Sequence, residues 1–84
     1  MWTEKNNALV RSFKFKDFKQ AFAFMTEVAL TAEKMDHHPA WSNVYNEVVF
    51  HLNTHDAGDT ITDKDRKLAD SIDRIWWKYE RAAI

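Results

Sequence analysis

The sequence contains no cysteine, one glycine and one proline. Without cysteine there is no disulfide framework, no thiolate metal site and no thiol nucleophile. A single glycine, Gly58, excludes the glycine-rich loops that cradle phosphates, and no serine lies in a Gly-x-Ser-x-Gly elbow. An excess of one charge is also missing. Twelve Lys and Arg against 13 Asp and Glu leave a formal net charge of −1, so there is no electrostatic footprint for nucleic acid. The longest unbroken apolar run, residues 21–25, is far too short to cross a bilayer. The amino terminus, Met1-Trp2-Thr3-Glu4-Lys5, has no signal-peptide profile, so the expectation is a cytoplasmic protein without membrane association.

Hydrophobic residues at 45% and charged residues at 30% are globular values and argue against disorder, and 84 residues suit one small domain spanning 1–84. Six Phe, four Trp and two Tyr are a generous aromatic supply, enough to enlarge a small core or to cover an interface.

Periodicity gives the element order. Residues 2–5 form a short segment, and Asn6-Asn7 is a turn folding it onto residues 8–15, a strand in which Phe13 and Phe15 alternate with Ser12 and Lys14. Arg11 shares the parity of the phenylalanines and weakens that reading. Asp17 is the expected N-cap of a helix, with Gln20 completing a capping box. Phe18, Ala21, Phe22, Met25, Val28, Ala29, Ala32 and Met35 then follow helical spacing for about five turns. Pro39 stops that helix and forces His38 toward an extended backbone. Residues 42–45 read as a strand, Asn46-Glu47 as a turn, and residues 48–54 as a second strand with Val48, Phe50 and Leu52 on one face and Val49, His51, Asn53 and His55 on the other. Residues 56–61 are a loop. Thr62 caps a final helix, with Leu68, Ala69, Ile72, Ile75, Trp76 and Tyr79 as its apolar stripe. The order β-β-α-β-β-α implies an α+β fold, a four-stranded antiparallel sheet with helices packed on one face. Phe24, Leu30 and Trp77 fall outside the stripes, and such surplus apolar surface marks an interface, so at least a homodimer is expected.

All four histidines lie between positions 37 and 55. Imidazole titrates nearest physiological pH, so the concentration suggests proton-transfer chemistry. A shared metal is disfavoured: on a strand, His51 and His55 stand roughly 13 Å apart at about 3.3 Å per residue, and the adjacent His37 and His38 point in different directions. What remains is general acid–base catalysis by imidazoles whose tautomers are set by nearby carboxylates. A helix macrodipole favours a charged histidine in the last turn, which would make His37 no more than a terminal cation.

The spacing Glu33-x-x-x-His37-His38-Pro39, five residues, Tyr45, nine residues, His55, nine residues, Asp65 resembles the signature of the pterin-4a-carbinolamine dehydratases. The run F-K-F-K-D-F-K-Q-A-F-A-F-M-T-E-V-A-L is similar to that family's first strand and long helix, so the likeness covers nearly the whole chain. Two departures stand out. Family members often carry a further helix ahead of the first strand, and the loop at 56–61 looks one residue longer than usual, which lets Asp63 compete for the place of Asp65.

The resemblance implies dehydration of a 4a-hydroxytetrahydropterin to quinonoid dihydropterin, for reuse by aromatic amino acid hydroxylases. Neither a metal nor an organic cofactor is needed. It implies His37, His38 and His55 as the catalytic set, with His37 and His55 moving protons and His38, held by Pro39, binding the pterin. Trp41 and Tyr45 would wall the cleft with flat apolar surface. Glu33 fits either a solvated helix residue or a partner orienting a histidine. Asp65 fits a cap after Thr62 as well as a site residue. His51 has no counterpart in the signature and reads as a surface strand residue. A homodimer or homotetramer is implied. The competing readings are a protein-interaction module of transcriptional coactivator type and a pterin-binding protein with little turnover.

Overall fold

The computed structural model describes residues 1–82. In chain order it contains β1 (Thr3–Lys5), β2 (Ala8–Lys14), α1 (Phe18–Met35), β3 (Ala40–Val44), β4 (Glu47–Leu52), a 3-10 turn (His55–Ala57) and α2 (Asp63–Ala82). The strands form one antiparallel sheet in the order β1-β2-β4-β3, and both helices pack on the same face of it, the expected α+β arrangement.

Local chemistry explains most boundaries. Asn6 and Asn7 both adopt left-handed backbone (φ 52° and 62°), which asparagine tolerates and a tight hairpin between β1 and β2 requires. Asp17 caps α1 by accepting the Gln20 N–H at 2.9 Å. The β3–β4 turn falls on Tyr45-Asn46, one residue before the expected Asn46-Glu47. Asn43 braces it, donating from Nδ2 to the carbonyls of Tyr45 and Glu47, and Asn46 exchanges hydrogen bonds with Phe15. β3 and β4 accordingly flank that turn as Ala40–Val44 and Glu47–Leu52, and β4 stops short of the expected Thr54.

Val48, Phe50 and Leu52 enter the core as expected, opposite Phe13, Arg11 and Leu9 of β2. Arg11 shares the inner parity without joining the core. Its guanidinium lies 4.4 Å from the Phe13 ring centroid and 2.8 Å from Asp73 of α2, which also accepts the Trp2 indole N–H.

The buried face of α1 keeps Ala21, Val28 and Ala32 as expected, with Met25 and Met35 packed against the core, but is turned toward Phe24. Ala21, Phe24, Val28 and Ala32 are buried, whereas Phe18, Phe22 and Ala29 are exposed. Both sets satisfy helical spacing. The choice between them is made by the aromatic cluster, where Phe24 meets Phe13, Phe15, Phe50, Trp76 and Tyr79 with ring centroids 4.9 to 6.2 Å away. Phe24 is thus a core residue and not surplus surface, whereas Phe18 and Phe22 are exposed, as are Leu30 and Trp77. No described helix is long and apolar enough to cross a membrane.

Candidate active site

The carboxyl end of α1 is built to release two histidines together. Asp36 adopts left-handed backbone (φ 53°), its N–H reaches the Glu33 carbonyl, and the N–H of His37 reaches back to the Ala32 carbonyl. This pair of bonds is the helix-ending arrangement that usually employs glycine. It turns the chain off the helix axis, and Pro39 then leads it into β3. On the other side, Thr54 follows β4 and forms an isolated bridge with Thr60, closing a loop that carries His55. Between these two chain reversals and the start of α2 lies a cavity of about 370 Å³. Its lining includes His37, His38, His55, Asn53, Thr54 and Lys64, with the acids Asp36 and Asp56.

Each of the three histidines is paired with a different carboxylate. His37 Nε2 lies 2.6 Å from Asp65 Oδ1, His38 Nε2 lies 2.8 Å from Glu33 Oε1, and His55 Nδ1 lies 2.8 Å from Asp59 Oδ1. The pairs differ in environment. The His37 side chain is 11% exposed and that of Asp65 not at all, whereas His55 is 91% exposed.

Asp65 both caps α2 and contacts His37. Its Oδ2 accepts the Thr62 backbone N–H at 2.8 Å, the reciprocal half of a capping box, while Oδ1 faces His37. Oδ2 also accepts the Thr54 hydroxyl at 2.8 Å. Burial pushes this carboxyl up, but the hydrogen bonds from His37, the Thr62 amide and Thr54, together with the field of His37, outweigh it and hold Asp65 below the usual carboxylate range. An ionised carboxylate has no hydrogen to give, so Nε2 of His37 carries the proton and Nδ1 is the nitrogen left for chemistry. The same reasoning leaves Nδ1 of His38 and Nε2 of His55 unpaired by their carboxylates. Asp63, the competitor for this position, is exposed at the start of α2.

Not all the candidates meet here. Trp41 lies on the inner face of β3 with its ring 5.5 Å from Phe50, as part of the core margin. Tyr45 is in the β3–β4 turn, 62% exposed and a full strand away; five residues at about 3.3 Å each make that roughly 16 Å. Neither lines this cavity. Pro39 joins His38 to β3 without lining it. His51 pairs with Ala40 and Val10 and is exposed on the sheet face opposite the helices. His55 opens the 3-10 turn instead of ending the strand. Asp59 was missed; its separation of four residues from His55, beside Gly58 in a loop, was the available signal. Among the described residues no group of three or more His, Cys, Asp or Glu is arranged to hold a metal ion.

The family model for pterin 4 alpha carbinolamine dehydratase matches residues 1–75. The chain belongs to this family. As a pterin-4a-carbinolamine dehydratase family member it is an enzyme of the hydro-lyase class. A putative pterin-4-alpha-carbinolamine dehydratase of Rhodospirillum rubrum is 56% identical over 73 residues, covering 87% of this chain and 75% of the relative. One from Prochlorococcus marinus strain NATL2A is 50% identical over 74 residues, covering 88% and 77%. Among solved structures, a transcriptional coactivator/pterin dehydratase from Brucella melitensis superposes with a TM-score of 0.84 at 47% identity, over 88% of this chain and 80% of that one. A pterin dehydratase-like RuBisCO assembly factor of the alpha-carboxysome shares the fold, with a TM-score of 0.71 at 22% identity over 89% and 86%.

Proposed function

We propose that this chain, as one catalytic domain in the cytoplasm, dehydrates a 4a-hydroxytetrahydropterin by histidine general acid–base catalysis. The observation that carries this reading is the convergence on one cavity of three histidines, each held by its own carboxylate. A carbinolamine loses hydroxide from C4a and a proton from nitrogen, so the reaction asks for one acid, one base and a surface to hold the ring. Imidazole serves both proton-transfer roles near neutral pH. His37 and His55 are the proton-transfer pair, acting through Nδ1 and Nε2 respectively. His38 binds the pterin, oriented by Glu33. The product is a quinonoid dihydropterin, which a reductase returns to the tetrahydro form for an aromatic amino acid hydroxylase.

Stopped-flow measurement of hydroxytetrahydropterin breakdown, with and without the protein, tests the reading directly. Acceleration that disappears with the His37→Ala substitution supports it. Tight pterin binding without acceleration would replace it with a pterin carrier.

A second reading has one observation in its favour. Phe18 and Phe22 are exposed on α1 with their rings 5.7 Å apart, and Leu30 and Trp77 are exposed nearby in sequence or on α2. Apolar surface of this kind fits self-association into a homodimer or homotetramer, or a protein-interaction role like that named for the Brucella relative. Light scattering of the purified protein separates the two, because self-association needs no second component.

A further inference from the structure

We infer that Thr54 and Thr62 are positioning residues which act on His37 through Asp65, by a hydrogen-bond chain that has only one possible direction. The inference rests on the dehydratase reading for its effect on turnover, but not for its effect on the histidine itself.

The direction follows from counting hydrogens. Thr54 Oγ1 lies 2.8 Å from Asp65 Oδ2 and 2.5 Å from Thr62 Oγ1. Each hydroxyl has one hydrogen to donate. Asp65, held ionised, only accepts, so the Thr54 hydroxyl donates to it. The Thr54–Thr62 contact then requires Thr62 to be the donor. Thr62 Oγ1 in turn accepts the backbone N–H of Lys64 at 3.3 Å, from the first turn of α2. Every hydrogen in the sequence Lys64 amide, Thr62, Thr54, Asp65 therefore points toward the carboxylate, and on its far side His37 Nε2–H points toward it as well.

The burial of this chain gives the direction its force. Thr54 is 7% exposed and Asp65 not at all, and no described buried side-chain nitrogen or oxygen lacks a partner. A chain reversed at any link would leave two hydrogens facing each other, or bring two lone pairs together, away from water. Asp65 Oδ2 already accepts both Thr54 and the Thr62 amide, so the carboxylate is occupied on the side away from His37. Such an acceptor orients the imidazole and keeps the proton on Nε2, without taking it. His37 lines the cavity, and with Nε2 committed to Asp65, Nδ1 is the one nitrogen of His37 left to exchange protons with a ligand. Sequence spacing gives no hint of Thr54, which precedes His55 and reads as a strand terminus.

The test is Thr54→Val, which retains the shape and removes the hydroxyl, with Thr54→Ser as the variant that restores it. The readouts are the titration and Nε2–H signal of His37 by nuclear magnetic resonance, alongside kcat and KM. Removing a donor leaves more negative charge on Asp65 to stabilise the imidazolium, so the valine variant should titrate higher by roughly half a pH unit or more. Its pH–kcat profile should shift in the same direction, and the serine variant should return both toward the unaltered protein. An unchanged titration in the valine variant, or a serine variant that titrates as the valine one does, overturns the inference. If Thr54→Val does not fold, Thr62→Ala removes the preceding donor at a half-exposed position. It should move the His37 midpoint upward by a smaller amount, and no movement is again disproof. Because the titration needs no substrate, a protein that shifts as expected but shows no dehydration would sink the functional reading and leave the hydrogen-bond chain standing.

Discussion

Asp65 and His37 lie 28 positions apart in sequence and 2.6 Å apart in space, one at the third position of a helix and the other just past the end of another. That contact ties the start of α2 to the end of α1, so the same carboxylate caps one helix and holds the histidine that follows the other. The following outcomes test what depends on it and on its surroundings.

Asp65 should make stability fall in acid. Its carboxyl is held below the usual carboxylate range in the folded chain, so its contribution is present above the unfolded value of 3.8 and is lost as pH falls through the lowered folded value. Urea unfolding from pH 7 downward should show Asp65→Asn less stable at neutral pH, with a flatter decline in acid. Turnover by this variant should fall by roughly 10²-fold or more if His37 is the acid or base it orients. Parallel stability curves for the two proteins would show that Asp65 is not the group responsible.

His55 and His51 offer a matched comparison. Both are exposed, so neither His55→Ala nor His51→Ala should unfold the protein. Turnover should fall by about 10²–10⁴ for His55→Ala, the usual worth of a positioned acid or base. His51→Ala, on the far face of the sheet, should change it by less than about tenfold, or roughly 1.4 kcal/mol of barrier. Equal losses from the two substitutions would remove His55 from the mechanism.

Phe24 and Phe22 separate core from surface on one helix. Phe24→Ala should cost about 3–5 kcal/mol of folding free energy, the range for deleting a buried aromatic ring. Phe22→Ser, on an exposed side chain, should stay within about 0.5 kcal/mol of the unaltered stability in a monomer. If α1 forms the contact between copies, the Phe22 variant should lower the mass measured by light scattering while leaving circular dichroism unchanged. The unaltered protein running as a monomer at micromolar concentration would contradict the proposed self-association.

Tyr79 should make stability fall in alkali. Burial first, then its hydrogen bond to Glu27 at 2.7 Å and the charge of that carboxylate, push its hydroxyl up to about 12. Glu27 is held low in turn by the hydrogen bonds from Lys78 and Tyr79. A raised folded value means the contribution is fully present below the unfolded value of 10 and disappears as pH rises through about 12. Absorbance titration should resolve one late-ionising tyrosine, absent in Tyr79→Phe. Loss of only an early component in that variant would refute the assignment.

Much of this protein was legible in local chemistry. Asp17, the Asn6-Asn7 turn, Pro39 and the Thr62–Asp65 box all act within a few residues of themselves, so their effects could be read directly. The alternation of Val48, Phe50 and Leu52 likewise placed them correctly, because a strand has only two faces. A helix gives no such binary choice. The spacing of α1 placed Ala21, Val28 and Ala32 inward but not which neighbouring phenylalanines join them, and only the rings of Phe13, Phe15, Phe50, Trp76 and Tyr79 decided for Phe24 over Phe18 and Phe22.

The sequence by itself determined the order of elements, the α+β class and the family signature, since capping, turn chemistry and strand alternation are short-range properties. Tertiary structure alone decided that Asp65 is the carboxylate His37 meets, and which aromatics stay away from the histidines. Asp65 reaches His37 because two helices from distant parts of the chain pack on one sheet face. Trp41 is drawn to Phe50 by the core, and Tyr45 is carried to the far turn by a strand whose length spacing counts in residues but does not place in space. These are consequences of packing between distant segments, and such packing has no period in the sequence.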